Sequence, residues 1–218
     1  AIWNGDTPPT AQDHAFNLHG PKAQGDDMWL IYSHAGLDRT PDTVYYLDPG
    51  HPEVVDYTVA VYAELAAGYA LDGVHLDYVR YPNNRFDYSK DQRTAFALRY
   101  GVDPLEFLKN VPAVVGGVSD AWIDMPAAAA FLDSVFVEWR SAQVDSLVHS
   151  IRAAIGDVAL SAAVVPEAER ARVEKGQNWV KWIQDDAVDF VVPMAYTYEP
   201  AELVALTTRI GRMISPKR

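Results

Sequence analysis

The sequence predicts an α/β fold in which helices alternate with parallel strands. Short apolar runs, as at 158–166 and 188–197, are separated by longer segments in which apolar residues recur every three or four positions. A third run, 71–82 (LDGVHLDYVRYP), begins apolar and ends in charged and aromatic residues. Because functional groups collect at the carboxyl ends of parallel strands, this run is typical of a strand that leads into a site.

The composition suits a single domain, residues 1–218, and narrows the classes of ligand. The chain has 218 residues, of which 49% are hydrophobic, enough for a substantial core. Its formal net charge of −12 argues against a nucleic-acid partner, whose phosphates are bound by Lys and Arg, and favours neutral or cationic ligands. The absence of cysteine excludes disulfides and thiolate chemistry, and no apolar run is long enough to predict a transmembrane segment.

The amino-terminal part of the chain predicts little regular structure before the first long helix. Residues 1–27 are rich in Pro, Gly, Asp and His and are predicted to be mostly loop. Short strands are predicted at 28–32 and 43–50. The segment 51–70 predicts a helix, with Pro52 at its first position and apolar residues at helical spacing.

The chain after 71–82 continues to alternate between helices and strands. A helix at 88–101 is predicted to start after the cap Ser89 and to stop at Gly101. The insertion 83–126 as a whole follows a site-bearing strand directly, so we expect it to cover the site as a mobile lid. The remaining elements are predicted as helices at 103–108, 127–155, 177–186 and 199–212, and as strands at 158–166 and 188–197.

The run 71–82 carries the first candidate carboxylate. Successive strand residues point to opposite faces, so Gly73, His75 and Asp77 share one face while Val74 and Leu76 supply the apolar one. Asp77 then lies at the carboxyl end of the strand. A structural ion pair with a nearby arginine is the alternative for Asp77, and a hydrogen-bonded structural histidine is the alternative for His75.

Two further strand ends carry candidate residues. Met194, Tyr196, Tyr198 and Glu199 follow the apolar run of the last predicted strand, and aromatic side chains at such a position suit the faces of sugar rings. Glu167 follows the strand at 158–166. The alternatives are a packed rim for the aromatic group and a solvated loop residue for Glu167.

Five segments, in chain order, resemble the glycosyl-hydrolase-like family ten of bacterial envelope proteins. They read YYLDPGHPEV, DGVHLDYVRYP, EWRSAQVDSLVHSIR, SAAVVPEAERAR and NWVKWIQDDAVDFVVPMAYT. The resemblance implies a TIM-type (β/α)8 barrel that acts on glycosidic bonds, and a secreted or cell-envelope location. Because only four or five strands are predicted here, we expect the central part of such a barrel, with association possible through its unclosed edges.

The resemblance also assigns residues. The family's signature strand falls on Asp72, His75, Asp77, Tyr78, Arg80 and Tyr81, and its PM-Y strand on Pro193, Met194 and Tyr196. Trp3 and Asn4 resemble the loop after the third barrel strand. Together with the strand-end pattern, these assignments predict substrate contacts by Asn4, His75, Tyr78, Arg80, Tyr81, Met194, Tyr196 and Tyr198.

The first functional hypothesis is a glycoside hydrolase acting on a polysaccharide, such as a peptidoglycan glycan strand or another envelope polymer. Such enzymes usually use two carboxylates. Asp77 is the first candidate, and its partner is Glu167, Glu199 or a residue outside this chain. The alternatives are a barrel that binds glycans without cleaving them and a metal-dependent hydrolase using His75 and Asp77, which would need a third ligand. We expect neither a cofactor nor a metal.

Overall fold

A computed structural model of the protein describes residues 2–4, 7–35, 44–106 and 127–214. The chain forms two compact units, one made of Ala1–Val54 and Arg85–Ala142 and the other of Val55–Asn84 and Gln143–Arg218. Across the described ranges, no helix is both long and apolar enough to cross a membrane.

The first unit begins with a short antiparallel pair. Strand β1 (Trp3–Asn4) pairs with β2 (Val44–Tyr45), so the predicted loop around Asn4 is instead a strand. The predicted loop 1–27 also contains the helix α1 (Ala15–His19) and a 3-10 turn. The strand predicted at 28–32 is wrong, because this segment forms only an isolated bridge, between Leu30 and Leu47.

Two buried clusters lie among the described residues of the first unit. One contains Ala15, Trp29 and Val54, and the other Tyr88, Phe96 and Phe136. Rings of the second cluster meet edge to face, with the centroids of Phe96 and Phe136 5.3 Å apart. This aromatic packing anchors the helix α3 (Lys90–Tyr100).

The ends of α3 follow the local signals in the sequence. Ser89 Oγ accepts a hydrogen bond from the Gln92 N–H at 3.3 Å, and Gly101 adopts a φ of 76° where the helix stops. The predicted start and stop are therefore confirmed. The predicted lid 83–126 lies outside the described residues from 107 onward, and its described part includes the buried Tyr88 and Phe96.

The second unit contains a parallel sheet, as the alternation of elements predicts. The strands are β3 (Gly73–Leu76), β4 (Ala159–Val164) and β5 (Phe190–Pro193), in the order β3-β4-β5. Five other helices have both ends within the described residues: α2 (Pro52–Gly68), α4 (Ala127–Ile155), α5 (Ala168–Lys175), α6 (Trp179–Gln184) and α7 (Pro200–Ile214). Of the helix predicted at 103–108, residues 104–106 are helical and the rest of its end lies outside the described residues.

The two faces of β3 differ as the alternation predicts. Val74 and Leu76 are buried, whereas Gly73 and His75 are exposed. In register, His75 lies beside Ser161 on β4, and Ser161 lies beside Phe190 on β5. His75, Ser161 and Phe190 therefore lie on the same face of the sheet.

An ion pair between Asp189 and Arg152 lies at the edge of the sheet where β4 and β5 begin. Asp189 Oδ2 accepts hydrogen bonds from the Leu160 N–H at 2.6 Å and from Arg152 Nη1 at 2.9 Å, and Arg152 Nη2 also donates to the Val158 carbonyl at 2.7 Å. These contacts hold the starts of β4 and β5 to the end of α4. The polar groups of this edge are thus engaged in structure.

Candidate functional site

The carboxyl edge of the parallel sheet carries a cavity. Because β3, β4 and β5 run in the same direction and in register, the segments after their last residues meet at one edge. The cavity has a volume of about 470 Å³. Its lining comes from all three strand ends, from α5 and from α7. It consists of Arg80, Val165, Pro166, Glu167, Arg170, Lys175, Met194, Ala195, Tyr196, Thr197, Glu202, Ala205, Leu206 and Arg209.

The structure brings four of the predicted site residues into this cavity: Arg80, Glu167, Met194 and Tyr196. Asp77, at the end of β3, is exposed but is not part of the lining. Its Oδ1 accepts a hydrogen bond from the Tyr78 N–H at 2.8 Å. The turn after β3 therefore fixes the Asp77 carboxylate through the backbone.

The residues after Asp77 leave the strand abruptly. Tyr78 has a φ of 58°, in the left-handed region that non-glycine residues rarely adopt. The Arg80 N–H then donates to the Tyr78 carbonyl at 2.8 Å. Non-glycine residues in this conformation are concentrated at functional sites, which makes this turn a candidate for function.

Arg80 links two strand ends. Its guanidinium carbon lies 4.8 Å from the centroid of the Tyr78 ring, a cation–π contact, and its Nη1 lies 3.5 Å from Met194 Sδ. Arg80, Tyr78 and Met194, all predicted to contact substrate, thus form one connected group.

Tyr81 does not fit its predicted contact with substrate. The side chain is 1% exposed, and its backbone N–H donates to the Lys175 carbonyl at 2.9 Å. Its ring packs against Gly176, where a Cβ atom would come within 3.0 Å of it. The family resemblance assigned Tyr81 to the substrate, but after the left-handed turn at Tyr78 its ring lies in the interior.

Glu167 precedes a helix that the sequence did not predict. It lies at the amino-terminal cap of α5, and its side chain makes no capping hydrogen bond there. Its carboxylate therefore does not bind the backbone N–H groups of the helix end, and Glu167 lines the cavity. Glu167 itself stays outside the helix with an extended backbone, and its catalytic role remains a prediction.

The segment after β5 contributes a different carboxylate from the one predicted. Glu199 is exposed and outside the lining, and its carbonyl accepts from the N–H groups of Glu202 and Leu203 at 3.1 Å. Glu202 does line the cavity, and its Oε2 accepts a hydrogen bond from Thr197 Oγ1 at 2.5 Å. The sequence offered no signal for Glu202, since it reads as an ordinary acidic residue in the first turn of a helix.

Two tyrosines after β5 are almost fully exposed. The side chain of Tyr196 is 91% exposed and that of Tyr198 is 103% exposed, but only Tyr196 lines the cavity. A large exposed aromatic ring at a cavity wall is suited to stack on the apolar face of a ligand.

His75 makes a structural hydrogen bond between strands. Its Nδ1 lies 2.8 Å from Ser161 Oγ, and Ser161 Oγ lies 3.4 Å from the Val74 carbonyl oxygen. Over the ranges that the structure describes, no group of three or more His, Asp and Glu side chains is arranged to hold a metal ion. For Asn4 the described feature is its backbone, paired with Val44 in the first unit.

Residues that the sequence did not single out hold the end of β4. Gln177 is fully buried, its Nε2 donates to the Ala163 carbonyl at 2.9 Å, and its Oε1 accepts from the Val165 N–H at 3.1 Å. Trp179 Nε1 donates to the Val165 carbonyl at 3.0 Å. Because Gln177 and Trp179 satisfy the Ala163 carbonyl and both backbone groups of Val165, they hold in place the segment that leads to Glu167.

The fold and the cavity define an α/β protein with a charged and aromatic cleft at the carboxyl edge of parallel strands, the place where such folds carry their active sites. The chain belongs to the glycosyl hydrolase-like 10 family, whose profile matches residues 23–213. The resemblance seen in the sequence is thereby confirmed.

Individual relatives are more distant. The chain is 24% identical over 174 residues to the glycosyl hydrolase DigH of Escherichia coli K12 and, with the same figures, to that of Shigella flexneri. The match covers 77% of this chain and 35% of the relative, so it spans about a third of the length of these curated relatives.

A solved structure shares the fold. The PgaB (BpsB) glycoside hydrolase domain from Bordetella bronchiseptica superposes with a TM-score of 0.58 at 16% sequence identity. The superposition covers 84% of this chain and 52% of that domain's chain. At this identity the likeness establishes a common arrangement of helices and strands.

Proposed function

We propose that the protein hydrolyses glycosidic bonds of a polysaccharide at the carboxyl edge of β3, β4 and β5. The observation that carries the proposal is the cavity of about 470 Å³ in which Glu167 and Glu202 lie with the exposed ring of Tyr196. Membership in a glycosyl hydrolase-like family supports the same reaction class. We further propose that the parallel sheet is part of a TIM-type (β/α)8 barrel, because helices connect its strands in the way such barrels require.

The reaction assigns two roles to carboxyl groups. One protonates the leaving oxygen, and the other either attacks the anomeric carbon or activates water, at separations of about 5–5.5 Å or roughly 6.5–9.5 Å. We assign one role to Glu167 at the end of β4, and the other to Asp77, which follows β3 at the same edge of the sheet although it is outside the cavity lining. Glu202 is the competing partner, because Thr197 orients its carboxylate within the same cavity.

The aromatic and basic residues serve binding. Tyr196 offers a ring on which a sugar can stack, and Arg80, steadied by Tyr78 and Met194, offers guanidinium donors to hydroxyl oxygens. An envelope polysaccharide and a secreted or envelope location are the substrate and place that we propose with this reaction. Fractionation of cells that produce the protein tests the location.

The direct test is release of reducing ends by the folded protein from a panel of peptidoglycan glycan strands, chitin, cellulose and xylan. Glu167→Gln should lower the rate at least about 100-fold, as expected for loss of an acid–base group. Glu64→Gln, an exposed change on α2, is the matched control and should act like wild type. Glycan binding without any release of ends would identify a non-catalytic binding protein instead.

A further inference from the structure

The charge of the cavity is opposite to the charge of the chain. The sequence as a whole has a formal net charge of −12. The carboxylates in the lining are those of Glu167 and Glu202. They are outnumbered by cationic side chains from three different segments, namely Arg80, Arg170, Lys175 and Arg209.

Two of these cations are already engaged. Arg170 Nε is 3.1 Å from Glu174 Oε2, one turn further along α5. Lys175 Nζ donates to the Pro82 carbonyl. These contacts lower the capacity of Arg170 and Lys175 to attract a ligand.

The other two cations have no acidic partner in the part of the chain that the structure describes. Within the described part of the chain, the Arg80 guanidinium contacts the Tyr78 ring and the Met194 thioether, a weak acceptor that leaves most guanidinium donors available. Arg209 lines the cavity and forms no ion pair with any described residue. Its helix, α7, is anchored by the buried side chains of Leu206 and Ile210. Two arginines from separate elements therefore line one cavity, and neither forms an ion pair with a described residue, although Glu167 and Glu202 line the cavity too.

We infer that the ligand of this cavity is an anionic saccharide, whose carboxylate, sulfate or phosphate group is bound by Arg80 and Arg209. The planar guanidinium matches such oxyanions with paired hydrogen bonds, which neutral sugars do not offer. Tyr196 lines the same cavity and would support the sugar ring. The inference rests on the proposed function and names the class of glycan on which it would act. An anionic ligand is the reverse of the neutral or cationic ligand that the net charge of the chain favours.

The test is calorimetric binding to matched pairs of oligosaccharides. The probes are hyaluronan, oligogalacturonate and alginate hexasaccharides, each beside its carboxyl-reduced, neutral form, with a heparin hexasaccharide as the sulfated arm and a phosphorylated mannan oligosaccharide as the phosphate arm. We expect the wild type to bind an acidic oligosaccharide at least about tenfold more tightly than its neutral counterpart. The neutral counterpart is the carboxyl-reduced form for the uronic acids, the desulfated form for heparin and the dephosphorylated form for the mannan. Because the contact is ionic, this preference should shrink at high salt.

Variants locate the preference. Arg80→Gln and Arg209→Gln should each reduce it to within about threefold, since a neutral amide forms no charge-assisted hydrogen bond. Arg212→Gln, on the same helix but outside the lining, changes the net charge equally and should leave the preference intact.

The outcomes separate the two claims. Equal binding of the paired forms, tighter binding of the neutral forms, or no binding of any acidic probe at millimolar concentration would overturn the inference, even if a neutral glycan were hydrolysed. Selective binding of an acidic glycan without cleavage would support the inference and count against hydrolysis.

Discussion

The guanidinium carbon of Arg80 lies 4.8 Å from the centroid of the Tyr78 ring, and Tyr78 holds a φ of 58°. A tyrosine in this conformation costs of the order of 1–3 kcal/mol and persists only where its surroundings hold it. The side chain that occupies this turn is therefore positioned at an energetic cost, and it steadies an arginine that lines the cavity.

Replacement of Tyr78 should separate its backbone role from its ring. Tyr78→Gly and Tyr78→Ala both remove the cation–π contact, so each should weaken glycan binding about two- to fivefold, whereas Tyr78→Phe should not. Glycine tolerates a positive φ and alanine does not. The free energy of unfolding of the glycine variant should therefore be about 1 kcal/mol higher than that of the alanine variant. Urea unfolding and calorimetric binding check this, and an alanine variant as stable as the glycine variant would contradict the strained turn.

Substitutions at Gly176 and Gly156 test whether the Tyr81 ring packs against Gly176. Both have positive φ, 69° and 62°, but a Cβ at Gly176 would meet the Tyr81 ring at 3.0 Å, whereas nothing lies within 4 Å at Gly156. Gly156→Ala should cost about 1–2 kcal/mol of unfolding free energy, and Gly176→Ala should cost about 1–3 kcal/mol more. Equal costs in urea unfolding would show that Tyr81 is not packed as described.

Local signals explain what the sequence predicted well. Ser89 and Gly101 delimit α3 through contacts within a few residues, so neither depends on distant structure. The alternation around His75 likewise needs only the geometry of one strand. Parallel pairing follows because a helix separates each strand from the next.

The remaining features depend on contacts that sequence patterns do not contain. The helix α5, AERARVEK, has five charged residues among its eight and too few apolar ones to predict a helix, and it ends at Gly176 in a left-handed conformation. The resemblance placed Tyr81 among the substrate contacts, whereas its burial beside Gly176 depends on a segment distant in the sequence. Glu202 and Arg209 read as ordinary surface charges of a helix, and only the fold brings them to one cavity.

The ring of Tyr196 should contribute to binding and that of Tyr198 should not. Both are exposed, but only Tyr196 lines the cavity. Loss of one stacking contact is worth about 0.5–1.5 kcal/mol, so Tyr196→Ala should weaken glycan binding about two- to tenfold. Tyr198→Ala is the control, and a larger loss in that variant would place the ligand elsewhere.

The first unit offers a test of pH dependence. Burial raises the pKa of the Asp48 carboxyl, although Gly50 N–H and Ser89 Oγ donate hydrogen bonds to it at 2.9 and 2.8 Å. His51 opposes and Asp91 adds to this upward shift. Because the folded pKa lies above the unfolded one, the stabilisation is full below the unfolded value, near 3.8, and is lost as the pH rises through the folded pKa.

Asp48→Asn cannot ionise; its amide oxygen can still accept from the Gly50 N–H, and its amide N–H can donate to Ser89 Oγ in place of the bond that Ser89 donates to Asp48. Its unfolding free energy relative to wild type should therefore increase as the pH is raised from about 4 to about 8 in guanidinium titrations. An unchanged difference across this range would mean that Asp48 titrates alike in the folded and unfolded chain.

Asp103 should behave in the opposite way. The hydrogen bond from Arg93 lowers the pKa of Asp103, and Arg93 Nη2 lies 2.5 Å from its Oδ2. The stabilisation is present above the unfolded pKa, near 3.8, and is lost as the pH falls through the lower folded value. Asp103→Asn should thus be less stable than wild type at neutral pH, and the difference in unfolding free energy should disappear in acid. The difference at neutral pH should be at most about 1 kcal/mol, because both side chains are partly exposed.

The central claim, hydrolysis at the carboxyl edge of the sheet, is tested most directly by two aspartates at opposite ends of one strand. Asp77 follows the last residue of β3, whereas Asp72 precedes its first residue. Rates of reducing-end release should be measured for Asp77→Asn and Asp72→Asn on the glycan that the wild type cleaves. The account predicts a loss of at least about 100-fold for Asp77→Asn with unchanged unfolding free energy, and a rate close to wild type for Asp72→Asn. Wild-type turnover by a folded Asp77→Asn variant would contradict it.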